Sequence, residues 1–265
     1  MEITELMVIK CGGSTMEQLP PLFYKELTLL REKGVTPILV HGGGPAISSM
    51  LNRLQIKPRF IDGMRVTDEA TLEVVEMVLV GQINKHLVRQ IHLAGGKSIG
   101  LCGSDGFLIE ADPLPGNLGC VGEIKTVNPS VIFDLVKLGY IPVIAPIGVD
   151  RKGNRYNINA DIAAGAIASH LGVKQLVMIT DVPGIMAEVN GKKQVIPLLD
   201  EKKVLEMMNS GEIYGGMIPK VRASLDCLNE SVQEVIIVRG IDEGVLHKVL
   251  EGESVGTRIR KGEVA

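Results

Sequence analysis

The sequence predicts an α/β protein, a three-layer αβα sandwich on a mainly parallel central sheet. Three observations carry this. Along the 265 residues, short apolar runs of strand length alternate with longer stretches of helical periodicity, the pattern of a sheet covered on both faces. The strand runs are apolar throughout, as strands buried on two faces must be. Two of them end directly in glycines, Met7-Val8-Ile9-Lys10-Cys11-Gly12-Gly13 and Ile38-Leu39-Val40-His41-Gly42-Gly43-Gly44-Pro45.

In chain order, core strands are expected at Leu6–Ile9, Thr36–Val40, Ser98–Cys102, Ile141–Ala145, Leu176–Thr180 and Val235–Val238. Apolar periodicity places helices at Leu22–Glu32, Ala46–Leu54, Asp68–Leu93, Pro129–Leu138, Asn159–Leu171, Glu201–Asn209, Pro219–Asn229 and Gly244–Leu250. Pro45 suits the first position of the second helix, Asn159 the cap of the fifth and Pro219 the first turn of the seventh. Two hairpins interrupt the alternation. One spans Phe107 to Val127 around Pro113-Leu114-Pro115-Gly116-Asn117, and one spans Gly148 to Asn157 with its turn at Asp150–Asn154. The best boundary between two lobes falls near Gly172, giving 1–172 and 173–265.

Bulk composition narrows the function. The chain is 45% hydrophobic and 22% charged, as in ordinary globular enzymes. A net charge of −3 and 3% aromatics give neither the basic excess nor the stacking platforms of a nucleic-acid binder. The start, Met1-Glu2-Ile3-Thr4-Glu5, is acidic and lacks the apolar stretch of a signal peptide. The uncharged stretch Leu138 to Val149 contains two prolines and falls short of the roughly 20 apolar residues that cross a bilayer. Cys11, Cys102, Cys120 and Cys227 are scattered without a CxxC pair, so the expectation is a cytoplasmic protein with no metal-binding cluster.

Both glycine turns are anion sites in outline. Glycines let backbone N–H groups approach a ligand, and a helix N-terminus behind Gly42–Gly44 adds unpaired donors and partial positive charge. Lys10 at the mouth of the first turn favours phosphate. Two other phosphate motifs fail. Gly96-Lys97-Ser98 lacks the first glycine of a P-loop, which would fall at Ile91, and it precedes a strand. Gly42-Gly43-Gly44 has Ile47 where a dinucleotide fingerprint needs glycine.

Other residues carry two readings each. Lys220 opens a helix, a mismatch with the dipole of about 0.3–1 kcal/mol that a bound anion would reverse; alternatively it is a surface lysine. Asp161, in Asn157-Ile158-Asn159-Ala160-Asp161, is either a first-turn acid or part of a polar cluster with Asn157. Arg65 is either a carboxylate clamp or a solvated charge. Cys11 is either a thiol activated by Lys10 or a small residue filling a turn. His41 reads as structural, since no nucleophile for it to activate is evident. Thr180-Asp181-Val182-Pro183-Gly184 ends a strand, where ligands of open α/β sheets gather.

Together, Lys10-Cys11-Gly12-Gly13, His41-Gly42-Gly43-Gly44, Asn157–Asp161, Thr180–Gly184 and Lys220 resemble the amino acid kinase family, over nearly the whole chain and in its order. Asp62-Gly63-Met64-Arg65-Val66-Thr67 and the Asn-x-Asn-Ala-Asp run are similar to the members that phosphorylate N-acetyl-L-glutamate for arginine synthesis. The resemblance implies an N-terminal lobe for that substrate and for dimerisation, and a C-terminal lobe for ATP with Mg²⁺. It implies Lys10, Lys220 and Asp161 as catalytic residues, and Gly12 and Gly13 as phosphate donors. Gly43, Gly44, Arg65 and Asn157 would hold the amino-acid substrate, and Thr180, Asp181, Gly184, Ile213, Tyr214 and Gly215 the nucleotide. Cys11 stands where leucine is frequent in the family, and Pro183 where it varies. The first strand near Leu6 leaves no room for the extra helix of arginine-sensitive hexamers, so an arginine-insensitive homodimer is expected. Kinases of N-acylated aminoadipate or other small carboxylates, and a non-catalytic sensor of the same fold, stay open.

Overall fold

The computed structural model describes residues 5–189, 192–228 and 231–262. Its first half runs β1 (Glu5–Cys11), α1 (Pro21–Glu32), β2 (Val35–His41) and α2 (Gly44–Arg53). A small hairpin, β3 (Phe60–Ile61) and β4 (Met64–Arg65), leads into α3 (Glu69–Glu76), a π-helical segment Met77–Asn84 and α4 (Lys85–Leu93). Then come β5 (Ser98–Cys102), β6 (Ile109–Pro113), β7 (Gly122–Val127), α5 (Ser130–Lys137), β8 (Ile141–Ala145), β9 (Ile147–Val149), β10 (Arg155–Asn157) and α6 (Ala160–His170). The remainder is β11 (Gln175–Thr180), β12 (Met186–Val189), β13 (Lys192–Val195), β14 (Leu198–Asp200), α7 (Glu201–Ser210), α8 (Met217–Leu228), β15 (Glu234–Arg239), α9 (Val245–Leu250) and β16 (Thr257–Arg260).

The main sheet has eight strands in the order β14-β16-β15-β11-β1-β2-β8-β5. From β15 to β5 the strands are parallel, while β16 runs antiparallel to β15 and parallel to β14. Strand pleating sends alternate residues to opposite faces, and two separate apolar cores result. Val8, Ile38, Val40, Met178 and Ile237 join α5–α8 on one side. Ile9, Leu39, Val143, Val177 and Ile236 join α1–α4 and α9 on the other. The three-layer αβα sandwich is therefore observed, with one sheet running without interruption past Gly172.

Several elements differ from the sequence reading. The expected single helix Asp68–Leu93 is divided by the π segment. The helix expected from Pro219 begins at Met217, and Asn229 lies outside the described residues. Both expected hairpins form, β6 with β7 and β9 with β10, and they join into one sheet ordered β10-β9-β6-β7. The hairpins β3–β4 and β12–β13 and the short strands β14 and β16 carry too little buried apolar pattern to be read in advance.

Candidate active site

Strands β1, β2 and β11 lie side by side, and their carboxyl ends carry the glycine turns and Thr180–Gly184. Gly42 N–H donates to Cys11 O (3.0 Å), which ties the two turns together. They meet backbone to backbone: a Cβ on Gly13 would lie 2.8 Å from Gly43 N and 2.9 Å from Gly44 N. A Cβ on Gly43 would meet Ile83 Cδ1 at 2.5 Å and Leu79 Cδ2 at 2.6 Å. Glycine is thus demanded here by close approach. Gly44 begins α2 with Pro45 in its first turn, leaving helix N-terminal N–H groups at the junction.

A charged cluster stands over this junction. Lys10 is 4% exposed and its Nζ lies 2.6 Å from Asp161 Oδ1. Lys220 Nζ approaches Asp161 Oδ2 at 3.9 Å from α8. Asn159 caps α6, its Oδ1 accepting from Asp161 N (2.8 Å) and Ile162 N (3.3 Å). The cap therefore needs only Asn159, and the Asp161 carboxylate is left to the lysines. Burial, then repulsion from Lys10, pulls the Lys220 ammonium below its ordinary range, against the pull of Asp161 and Asp181. Two ammonium groups face one carboxylate, so the cluster holds excess positive charge suited to an anion.

Two cavities flank this cluster. One, of about 390 Å³, is lined by Lys10, Gly13, Gly43, Gly44, Arg65, Asn157 and Asp161. Arg65 ends β4 and is buried; its Nη2 donates to Gly44 O (3.0 Å) and Ser48 Oγ (2.9 Å), and the guanidinium lies over Phe60, 4.8 Å from the ring centroid. Its Nη1 is buried with no hydrogen-bond partner among the described residues. Burial lowers the guanidinium pKa, a cost that a carboxylate partner would offset. Asn157 Nδ2 donates to Thr67 Oγ1 (3.1 Å) on the same wall.

The other cavity, of about 620 Å³, is lined by Asp181, Gly184, Met186, Lys193, Ile213, Tyr214 and Met217. Ser14 and Lys220 belong to both linings. The structure thus brings together most of the residues singled out in sequence. Three stand off the walls. Gly12 N–H is engaged by Ile179 O (3.1 Å), so Gly13 is the turn residue whose backbone faces the junction. Thr180 is buried and donates its hydroxyl to Val182 O (2.8 Å). Gly215 has a φ of 59° and shapes the turn before α8, while Gly216 lines the cavity. Ser14, Phe60 and Lys193 were missed. Ser14 could have been found from its place directly after Gly13; Phe60 and Lys193 sit on hairpins without a strand signal.

Cys11 is fully buried and burial pushes its thiol up to about 12, which removes the activated-thiol reading. Among the described residues no group of three or more His, Cys, Asp and Glu could hold a metal ion, and no helix is long and apolar enough to cross a membrane.

Residues 5–239 match the model of the amino acid kinase family. The chain is 49% identical over 257 residues to the acetylglutamate kinase of Brevibacillus brevis, covering 96% of this chain and 97% of that one. It is 45% identical over 262 residues to the acetylglutamate kinase of Kosmotoga olearia, covering 97% and 92%. The solved structure of smu.665 from Streptococcus mutans UA159 superposes with a TM-score of 0.84 at 28% identity, covering 96% of this chain and 98% of that one. With this fold, and with matches of this extent, the chain belongs to the amino acid kinase family.

Proposed function

We propose that this enzyme transfers the γ-phosphoryl group of ATP to the side-chain carboxylate of N-acetyl-L-glutamate, forming N-acetyl-L-glutamyl 5-phosphate in arginine biosynthesis. One observation carries the reading: a cavity with an unpartnered buried guanidinium and a larger, partly apolar cavity share Lys220 and Ser14, with the Lys10–Asp161 pair beside them. The relatives' name agrees with it.

In this reading the smaller cavity takes the amino acid, its α-carboxylate on Arg65 and its acetamido group near Asn157. Gly43 and Gly44 offer N–H groups to the substrate, and Gly13 to the phosphoryl group. The larger cavity takes ATP between Asp181, Gly184, Ile213 and Tyr214. The attacking carboxylate is ionised at neutral pH, so the reaction needs no general base. Its difficulty is repulsion: two unit charges 4 Å apart cost about 4 kcal/mol at an effective dielectric near 20. Lys10 and Lys220 offset that repulsion from opposite sides, and Asp161 holds both ammonium heads in place. The carboxylate oxygen bonds to γ-phosphorus as the bond to the β,γ-bridging oxygen breaks, and ADP leaves with the electron pair.

Mg²⁺ bound with the nucleotide would neutralise phosphate charge; with no protein cage among the described residues, the phosphates and water would be its main ligands, as is usual for this ion. The same reading assigns residues 1–172 to the amino acid and to a homodimer contact, and 173–265 to ATP, in the cytoplasm. The sharing of walls supports the division, since among the described residues Lys220 alone crosses it into the smaller cavity and Ser14 alone crosses it into the larger.

The test is ADP release with hydroxylamine trapping of the acyl phosphate. N-acetylglutamate is expected to be the best acceptor, ahead of glutamate, aspartate and N-acetylaminoadipate. A single methylene is worth about 1–3 kcal/mol in a pocket, so the aminoadipate homologue is the stringent comparison. Equal or faster trapping with it would reassign the substrate, and absence of any turnover with intact ligand binding would favour a sensor.

A further inference from the structure

His41 and Asn84 are both fully buried beside the glycine junction, and neither lines either of the two cavities. Asn84 ends the π segment, and its side chain occupies space that only Gly100 leaves open: a Cβ there would lie 1.8 Å from Asn84 Oδ1. The amide nitrogen lies 2.8 Å from Val143 O, 3.3 Å from Leu101 O and 3.2 Å from His41 Nε2. Its oxygen lies 3.3 Å from Lys85 Nζ. Orientation of an amide is inferred from its partners, and here they agree. Two carbonyls need a donor opposite them, and an ammonium needs an acceptor.

With the amide so fixed, Asn84 Nδ2 shares its two hydrogens among three acceptors and has no lone pair to accept with, so His41 Nε2, 3.2 Å away, faces it with a lone pair. The proton of the neutral ring then sits on Nδ1, where Gly42 O lies 3.1 Å away. Burial, with Lys85 nearby, keeps the ring neutral down to a pKa of about 4. A ring protonated at Nε2 would set donor against donor.

The consequence reaches the active site through one planar peptide. In a trans peptide the C=O of Gly42 and the N–H of Gly43 point in opposite directions. A Gly42 carbonyl held back toward His41 therefore turns the Gly43 N–H forward, toward Gly13 and the smaller cavity. No acceptor takes that N–H among the described residues. Leu79 and Ile83, from the same π segment as Asn84, fill the space a Cβ on Gly43 would need, and π turns are frequent at functional sites.

We propose that His41 is a positioning residue: held by Asn84 as the Nδ1–H tautomer, it fixes the Gly42–Gly43 peptide so that the Gly43 N–H is aimed at the bound acceptor. This rests on the function proposed above, which glycine flexibility alone would serve less well, because an unrestrained glycine peptide can flip.

Two measurements test it. Long-range ¹H–¹⁵N spectra of the ¹⁵N-histidine-labelled protein are expected to show His41 as the neutral Nδ1–H tautomer across neutral pH; an Nε2–H tautomer would overturn the proposal. In kinetics, His41→Leu removes the donor, whereas His41→Asn keeps an N–H near the Nδ1 position. His41→Leu should lower kcat about 10²-fold, the scale for a lost oxyanion-type donor, and raise KM for N-acetylglutamate while leaving KM for ATP unchanged. His41→Asn should recover most of kcat. A folded His41→Leu with unchanged kcat, or equal losses in both variants, would contradict the positioning role. If His41→Leu fails to fold, the tautomer and the His41→Asn kinetics decide. Inactivity of the unsubstituted enzyme on N-acetylglutamate is a separate failure, that of the proposed function, and leaves the tautomer result standing.

Discussion

Lys220 bears the electrostatic strain of the site. Its ammonium is largely buried and faces Lys10, and both lower its pKa from the ordinary 10.5. A base whose folded-state pKa is depressed binds fewer protons folded than unfolded, so stability rises with pH between the two values. The charge therefore costs stability at neutral pH, and the cost fades as pH rises through the folded pKa. Lys220→Met is expected to raise Tm of the ligand-free protein at neutral pH, with the gain over the unsubstituted protein shrinking as pH nears 10.5. A lower Tm at neutral pH would contradict this. Such exchange of stability for function is common in active sites. Asp161 is the opposite case, a carboxylate 2.6 Å from Lys10 whose removal would leave a buried charge unpaired.

Among the elements, the β3–β4 hairpin carries Arg65, the proposed substrate anchor. Its two strands have two residues each, and β3 is exposed, yet Arg65 at its end is buried against Gly44 and Ser48. Charge-assisted hydrogen bonds are worth about 1.5–3 kcal/mol, so Arg65→Ala should raise KM for N-acetylglutamate roughly 10- to 100-fold and leave KM for ATP unchanged. Steady-state kinetics with each substrate varied would show it, and equal rises would remove the carboxylate assignment. The hairpin was illegible beforehand because exposed two-residue strands carry no periodicity. The central strands were legible because burial on both faces makes them apolar throughout: Ile141–Ala145 was read to the residue, as was the partly buried edge strand Ser98–Cys102. The π segment escaped because Met77–Asn84 keeps a helical apolar content whatever its hydrogen-bond register. Lys10, Asp161 and Lys220 were legible as candidates, but only packing decided between surface charge and cluster.

At the scale of the molecule, the sheet order makes the site. Placing β1 between β2 and β11 sets residues 10–14, 42–45 and 181–184 side by side at the carboxyl ends of adjacent strands. Helices α6 and α8, packed on the same face, bring Asp161 and Lys220 over it. The two cavities, proposed for acceptor and donor, then share Ser14 and Lys220 in their walls. Phosphoryl transfer across that wall, driven by two lysines from distant parts of the chain, is the central claim. Rapid-quench single-turnover transfer in Lys10→Ala and Lys220→Ala tests it most directly, alongside calorimetric binding of N-acetylglutamate. Each variant is expected to lose about 10²-fold or more in the transfer rate while still binding the amino acid. Near-normal transfer in either folded variant would contradict the account.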